Sequence, residues 1–264
     1  MEELDEAWND FVAIDADPPP KREICSRCER PNTACYCSAI TPSPIPLRNH
    51  LIMLQHPNEV KRCLRTTKII ELSLPPSHYH LYRAKRFTPK RFPDLFALLD
   101  SGERENILLF PSPTAVPLAS LPPIPEKTGS KSATAYNIVV LDGTWSQAKV
   151  MFNSNATLRS MRSVALDNTA PSRYVIRTQP TETCLSTVEA VALLLAHLEE
   201  QPDIVELLTS PLKTICDHQI NNGAVEHQSK EYLITNGLYG KPLKKRVKKY
   251  LDLNLKLNIK DLVC

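Results

Sequence analysis

The chain has 264 residues, 42% of them hydrophobic, and a net charge of only +3, enough for one large domain or one domain with a small appended module. No apolar run approaches the roughly 20 residues that span a bilayer, and the N-terminus is acidic rather than a basic and apolar leader, so a soluble, unsecreted protein without membrane attachment is expected. Six glycines stand against 23 prolines, and no two glycines form a G-x-G, which excludes the phosphate-cradling loop of a Rossmann dinucleotide site or of a P-loop.

Residues 1–20 read as an acidic, disordered lead-in: seven acids and no base lie within residues 1–17, ahead of Pro18-Pro19-Pro20. Cys25-x-x-Cys28 and Cys35-x-Cys37 follow within residues 21–40. Four thiolates so close in sequence can converge on one zinc ion, whereas disulfides are disfavoured in a chain without a secretion signal. With cysteine in all four positions the metal would have no open site, so its job would be structural. Reduced structural thiols or a redox pair are the competing readings.

From about residue 47 the pattern changes. His50 to His56 reads as a buried strand, followed by Pro57 at the first position of a helix running to about Leu72. On such a helix Lys61, Arg65 and Lys68, with Arg62 alongside, would share one face, suited to phosphate contacts or simply to solvent. A short amphipathic helix is expected around Asp94 to Asp100. Glu105 to Phe110 is a second buried strand, stopped by Pro111-Ser-Pro113. Residues 117–135, rich in Pro, Ser, Thr and Ala, read as a flexible insertion.

The β-branched run Ile138 to Leu141 then delivers Asp142, Gly143, Thr144 and Trp145 to a strand-to-helix turn. In an open α/β sheet, ligands gather at such strand ends. Ser172 to Thr178 alternates enough for a further strand. Ser186 and Glu189 form a capping box ahead of an apolar, hence buried, helix through Leu198. Two more helices are expected, Pro202 to Thr209 and Leu212 to about Gln228. Residues 241–264 form a basic tail, with eight bases and two acids, suited to a polyanionic partner or to solvent. Strands at 50–56, 105–110, 137–142 and 172–178 alternating with helices predict an α/β fold with a mostly parallel sheet and helices on both faces, spanning 47–240.

Four segments together resemble the DTW-domain family, named for an Asp-Thr-Trp motif: Asp142-Gly-Thr-Trp145, His56-Pro57-x-Glu59-x-x-Arg62, Leu109-Phe-Pro-Ser112, and Leu185-Ser-Thr-x-Glu-Ala190. The cysteine cluster also fits the family, although Arg65-Thr66 stands where many members have Asn-Thr. The resemblance implies a SPOUT-like knotted fold with an N-terminal zinc knuckle, and a tRNA-uridine aminocarboxypropyltransferase. Such an enzyme moves the 3-amino-3-carboxypropyl group of S-adenosylmethionine to N3 of a uridine, forming acp3U. The same transfer onto ribosomal RNA, and a non-catalytic zinc-containing RNA-binding protein, are the alternatives.

On this resemblance Asp142 and Trp145 are the catalytic candidates. Asp142 would take the N3 proton, or else cap the following helix. Trp145 would stack on a base, or else pack in the core. Leu109, Pro111, Ser112, Leu141, Thr144, Leu185, Ser186, Thr187 and Glu189 would form the S-adenosylmethionine pocket, with the helix N-terminus at Ser186-Thr187 receiving its carboxylate. His56, Arg62, Arg65, Lys244, Lys245 and Arg246 would touch the RNA, and Cys25, Cys28, Cys35 and Cys37 would hold zinc. Cytoplasm and nucleus are both open as locations, and so is oligomeric state.

Overall fold

The computed structural model describes residues 22–62, 64–124, 134–166, 170–243, 245 and 247–248. The acidic lead-in expected at 1–20, residues 125–133 of the expected insertion, and most of the basic tail lie outside them.

Six strands form one sheet: β1 (His50–Gln55), β2 (Tyr79–Arg83), β3 (Glu105–Leu109), β4 (Val116–Pro117), β5 (Tyr136–Asp142) and β6 (Arg162–Ala165). Their order is β2-β1-β5-β3-β6-β4 and every pairing is parallel, as expected from the sequence. All seven residues of the central β5 are buried, because a parallel sheet is covered on both faces and its inner strands are apolar throughout.

The helices are α1 (Thr66–Ser73), α2 (Pro93–Asp100), α3 (Trp145–Ser154), α4 (Ala156–Ser160), α5 (Thr187–Leu198), α6 (Ile204–Asn221) and α7 (Lys230–Thr235). Strand side chains alternate between the faces. Leu51, Met53, Ile138 and Val140 share a core with Ile69 and Ile70 of α1, with α5 and with α6. Ile52, Leu54, Val139 and Leu141 pack instead against Leu95 and Leu99 of α2, Met151 of α3 and Leu158 of α4. Cys28, Tyr36 and Ile40 of the cysteine segment belong to the first of these cores.

Three expectations fail. Residues 172–178 are not a strand but bends and turns: their backbone is held by a buried carboxylate, and β2, β6 and the two-residue β4 fill the sheet instead. The helix expected from Pro57 to Leu72 is two pieces, a 3-10 turn (Pro57–Lys61) and α1, because Arg62 and Arg65 are extended. Lys61 and Arg62 therefore do not share a helical face with Arg65 and Lys68. The two helices expected over 202–228 are the single α6, which continues through Pro211.

Candidate active site

Parallel register brings the carboxyl ends of β2, β1 and β5 level: Gln55 is the partner of both Arg83 and Asp142. Their side chains continue the alignment. Arg83 Nε donates to Gln55 Oε1 at 2.9 Å, Gln55 Nε2 donates to Asp142 Oδ2 at 2.9 Å and to Thr67 Oγ1 at 3.1 Å, and Thr187 Oγ1 donates to Asp142 Oδ1 at 2.9 Å. Both oxygens of a buried carboxylate are thus satisfied by neutral donors. Burial pushes the Asp142 pKa above the ordinary carboxylate value, the Gln55 and Thr187 hydrogen bonds oppose this, and the Glu59 charge adds to it.

Asp142 does not cap α3. Thr144 does, in a capping box: Gln147 N–H donates to Thr144 Oγ1 at 3.3 Å, and Thr144 N–H donates to Gln147 Oε1 at 2.7 Å. The Asp142 carboxylate is left for other work. A Cβ at Gly143 would be tight against the capping glutamine, 3.1 Å from Gln147 Oε1 and 3.2 Å from Gln147 Cβ, so glycine there spares the capping box a shift.

The start of α5 is organised by Glu189. Its Oε2 accepts from Ser186 N–H at 2.8 Å, from Ser186 Oγ at 2.6 Å and from Ser172 Oγ at 2.8 Å, and its Oε1 accepts from Arg173 N–H at 2.6 Å. The carboxylate is fully engaged in fixing the 172–173 backbone to α5. That backbone leads to Arg177, a half-buried guanidinium for which no ion pair is found among the described residues.

Two adjoining cavities open here. The larger, about 400 Å³, is mainly apolar and lies across the ends of β3, β5 and β6, lined by Leu109, Pro111, Leu141, Trp145, Leu185 and Thr187 among others. The smaller, about 250 Å³, is polar, with Thr144, Ser146, Arg177 and Gln179 on its wall. Gly143, Trp145, Leu185, Ser186 and Thr187 line both. Thus Leu109, Pro111, Leu141, Thr144, Leu185, Ser186 and Thr187 come together with Trp145, while Ser112 and Glu189 line neither cavity. Sequence reasoning missed Phe110, Val164, Leu166, Cys184, Glu59 and Arg177. Glu59 and Phe110 were marked, by standing in the His56-to-Arg62 and Leu109-to-Ser112 motifs; Glu59 is buried, and among the described residues its Oε1 has no hydrogen-bond partner.

The RNA candidates are dispersed. His56 is buried, its Nδ1 accepting from Asn58 N–H at 3.2 Å, and burial with the nearby Lys85 charge lowers its pKa. Arg62 is exposed beside Glu59, and Arg65 is paired with Glu29. Lys245 is exposed; Lys244 and Arg246 lie outside the described residues.

The four cysteines form a compact cage. Cys25 Sγ lies 3.8 Å from Cys37 Sγ, Cys28 Sγ lies 3.7 Å from Cys35 Sγ, and all four sulfurs are within 4.8 Å of one another. A tetrahedron with zinc–sulfur bonds of about 2.3 Å has sulfur–sulfur edges of about 3.8 Å. The donor set and its size therefore fit zinc.

Comparison with known proteins places this geometry among relatives. The DTW domain matches residues 22–220. The chain is 44% identical over 248 residues to tRNA-uridine aminocarboxypropyltransferase 2 of Drosophila melanogaster, covering 94% of this chain and 95% of that protein. It is 37% identical over 239 residues to the protein of the same name from Mus musculus, covering 90% and 77%. It is 28% identical over 251 residues to tRNA-uridine aminocarboxypropyltransferase A of Arabidopsis thaliana, covering 86% of each. No solved structure gives a significant match.

Proposed function

Because the chain belongs to the DTW-domain family, we propose that it is an enzyme transferring an aminocarboxypropyl group to a uridine of tRNA, with N3 as the acceptor and S-adenosylmethionine as the donor. The observation that carries the proposal is Asp142: a buried carboxylate free of any capping duty, hydrogen-bonded to a threonine that lines both cavities.

The donor fits the paired cavities. An apolar space of about 400 Å³ beside a polar one of about 250 Å³ suits a molecule with a flat heteroaromatic end and a zwitterionic end, and is of the size usual for small-molecule sites, about 300–1,000 Å³. When bound, S-adenosylmethionine supplies a sulfonium whose attached carbons are electrophilic, and transfer from Cγ leaves methylthioadenosine.

Leu109, Pro111, Leu141 and Leu185 exclude water from the apolar part. Arg177 and the first turn of α5, whose N–H groups lack intrahelical acceptors, hold the carboxylate at the polar end. Clamping that end turns Cγ rather than the methyl toward the acceptor, since displacement requires the reacting atoms about 3–3.5 Å apart and in line. Uridine N3 loses its proton as it attacks. The Thr187 hydroxyl accepts it and passes its own to Asp142, whose raised pKa makes it a stronger base than an ordinary carboxylate. Trp145, half-buried between the cavities, offers a stacking face for the uracil.

The target base must be unpaired or flipped, because N3 is hidden in a Watson–Crick pair. Arg62 and Lys245 contribute phosphate contacts, zinc sits in the cysteine cage as a structural ion, and the knotted threading is kept as part of this reading.

The test is direct. Purified protein, S-adenosylmethionine and unmodified tRNA are incubated, and the nucleosides are separated by mass spectrometry. Uridine carrying one aminocarboxypropyl group is the expected product; methylated uridine or unmodified tRNA would remove the proposal.

A further inference from the structure

Residues 83–91, Arg-Ala-Lys-Arg-Phe-Thr-Pro-Lys-Arg, carry five cations and no acid. Arg83, Lys85, Arg86, Lys90 and Arg91 are all exposed, whereas Ala84 and Phe87 between them are buried. Among the described residues no carboxylate pairs with any of the five. By contrast Arg48, Arg65, Lys68, Arg162 and Arg173 each pair with a glutamate.

The segment is fastened rather than loose. The buried Asn155 side chain accepts from Phe87 N–H at 2.7 Å and donates to Lys85 C=O at 3.2 Å. Ala84 N–H donates to Gln55 C=O at 3.2 Å. Phe87 packs on Phe92, whose ring also carries the Arg91 guanidinium 5.3 Å from its centroid. Pinning the backbone every few residues holds the attachment points of the cations as a ridge, so little backbone entropy remains to be lost when they are engaged.

Its position is set by strand order. The segment begins at the carboxyl end of β2, two strands from Asp142, which at about 4.8 Å per strand is roughly 10 Å away. Lys85 is near enough to His56 to act on its titration, and His56 N–H donates to Asp142 C=O at 2.8 Å.

From these observations we infer that the 83–91 ridge is the principal tRNA-docking surface, gripping phosphates of the strand that presents the target uridine to Asp142. The inference rests on the tRNA-modifying reading above and assigns the grip to residues outside the helical face and the tail that the sequence pointed to. Five exposed cations on a fastened backbone beside the reaction centre, none paired with a carboxylate among the described residues, are the arrangement that an RNA backbone, a regular array of single negative charges, requires.

The experiment measures tRNA affinity against salt, together with transfer. Each neutralised phosphate contact contributes about 0.7–0.9 to the slope of log Kd against log salt concentration. The variant Lys85→Gln/Arg86→Gln/Lys90→Gln should lower that slope by about 2–3 and weaken the Kd at least tenfold near physiological salt. The charge-keeping variant Lys85→Arg/Arg86→Lys/Lys90→Arg should retain the parental slope. Lys213→Gln, on α6 beside Asp217, should leave it unchanged. Melting temperature, read on every variant, separates lost contacts from lost fold. An active parent whose neutral triple variant keeps the same Kd and slope overturns the docking surface alone. A parent that neither binds nor modifies tRNA overturns both the surface and the reading beneath it.

Discussion

At Asp142 the competing demands of folding and chemistry meet in one side chain. Burial raises its pKa, so the native protein holds that proton more tightly than the unfolded chain does. Stability contributed by the protonated form is therefore lost as pH rises from the ordinary carboxylate range through the raised native value. Asp142→Asn keeps the shape and, with the Thr187 hydroxyl turned to accept, both hydrogen bonds. It should lose about 10²–10⁴-fold in transfer, retain or raise the melting temperature, and flatten this part of the pH–stability profile. A variant with near-parental turnover would remove the base assignment. Thr187→Val should lower kcat about a hundredfold with tRNA affinity unchanged, whereas Thr187→Ser should keep most of the rate; single-turnover kinetics checks both. The Asp142 motif was legible in the sequence because a continuous apolar run led into it. Of its neighbours Thr187 was legible through its motif, but Gln55 and Arg177 were not, since Gln55 lies 87 residues away and Arg177 carries no local mark.

At the scale of elements, α5 and the 172–179 segment behave as one unit because a single carboxylate binds both. Glu189→Ala would strand the buried Ser186 N–H and the part-buried Arg173 N–H. Lost charge-assisted hydrogen bonds cost about 1.5–3 kcal/mol each before relaxation, so a net destabilisation of about 3 kcal/mol is expected, lowering the melting temperature by roughly 6–12 °C. Calorimetry of the variant measures it. This carboxylate also explains a misreading. Tyr174 and Ile176 alternate like a strand, yet what fixes the segment is a side chain from beyond it, which no period can reveal. Two of the strands that were missed, β2 and β4, failed for other reasons. β2, Tyr79-His-Leu-Tyr-Arg83, is only half-buried at the sheet edge, so it lacks an apolar run, and β4 is two residues long with a proline. The long strands and α5 were legible because burial on both faces leaves a continuous apolar signature.

For the whole molecule, the cysteine segment is part of the main core rather than an ornament. Cys28, Tyr36 and Ile40 pack with α6 and β1, and Glu29 is clamped by Arg65 and Lys68 of the α1 region. Removal of the proposed zinc should therefore be felt across the fold. Cys28→Ser, or prolonged chelation, should release one zinc per chain and lower the cooperative melting transition as a whole, not produce a separate early one. Metal analysis alongside a thermal melt distinguishes the outcomes.

The strand order carries a consequence for how the chain reaches this state. The strand between β1 and β3 is β5, so both earlier strands wait with an open edge until residues 136–142 have left the ribosome. At about 5–20 residues per second, that delay lasts several seconds beyond the synthesis of β1. Topologies dominated by distant pairings also fold slowly, in milliseconds to seconds. The same segment that carries the proposed base, Asp142, is thus the one whose arrival ends this open-edge period of β1 and β3. A nascent chain stalled before Tyr136 should remain chaperone-bound, and one released after α6, which completes the first core, should not.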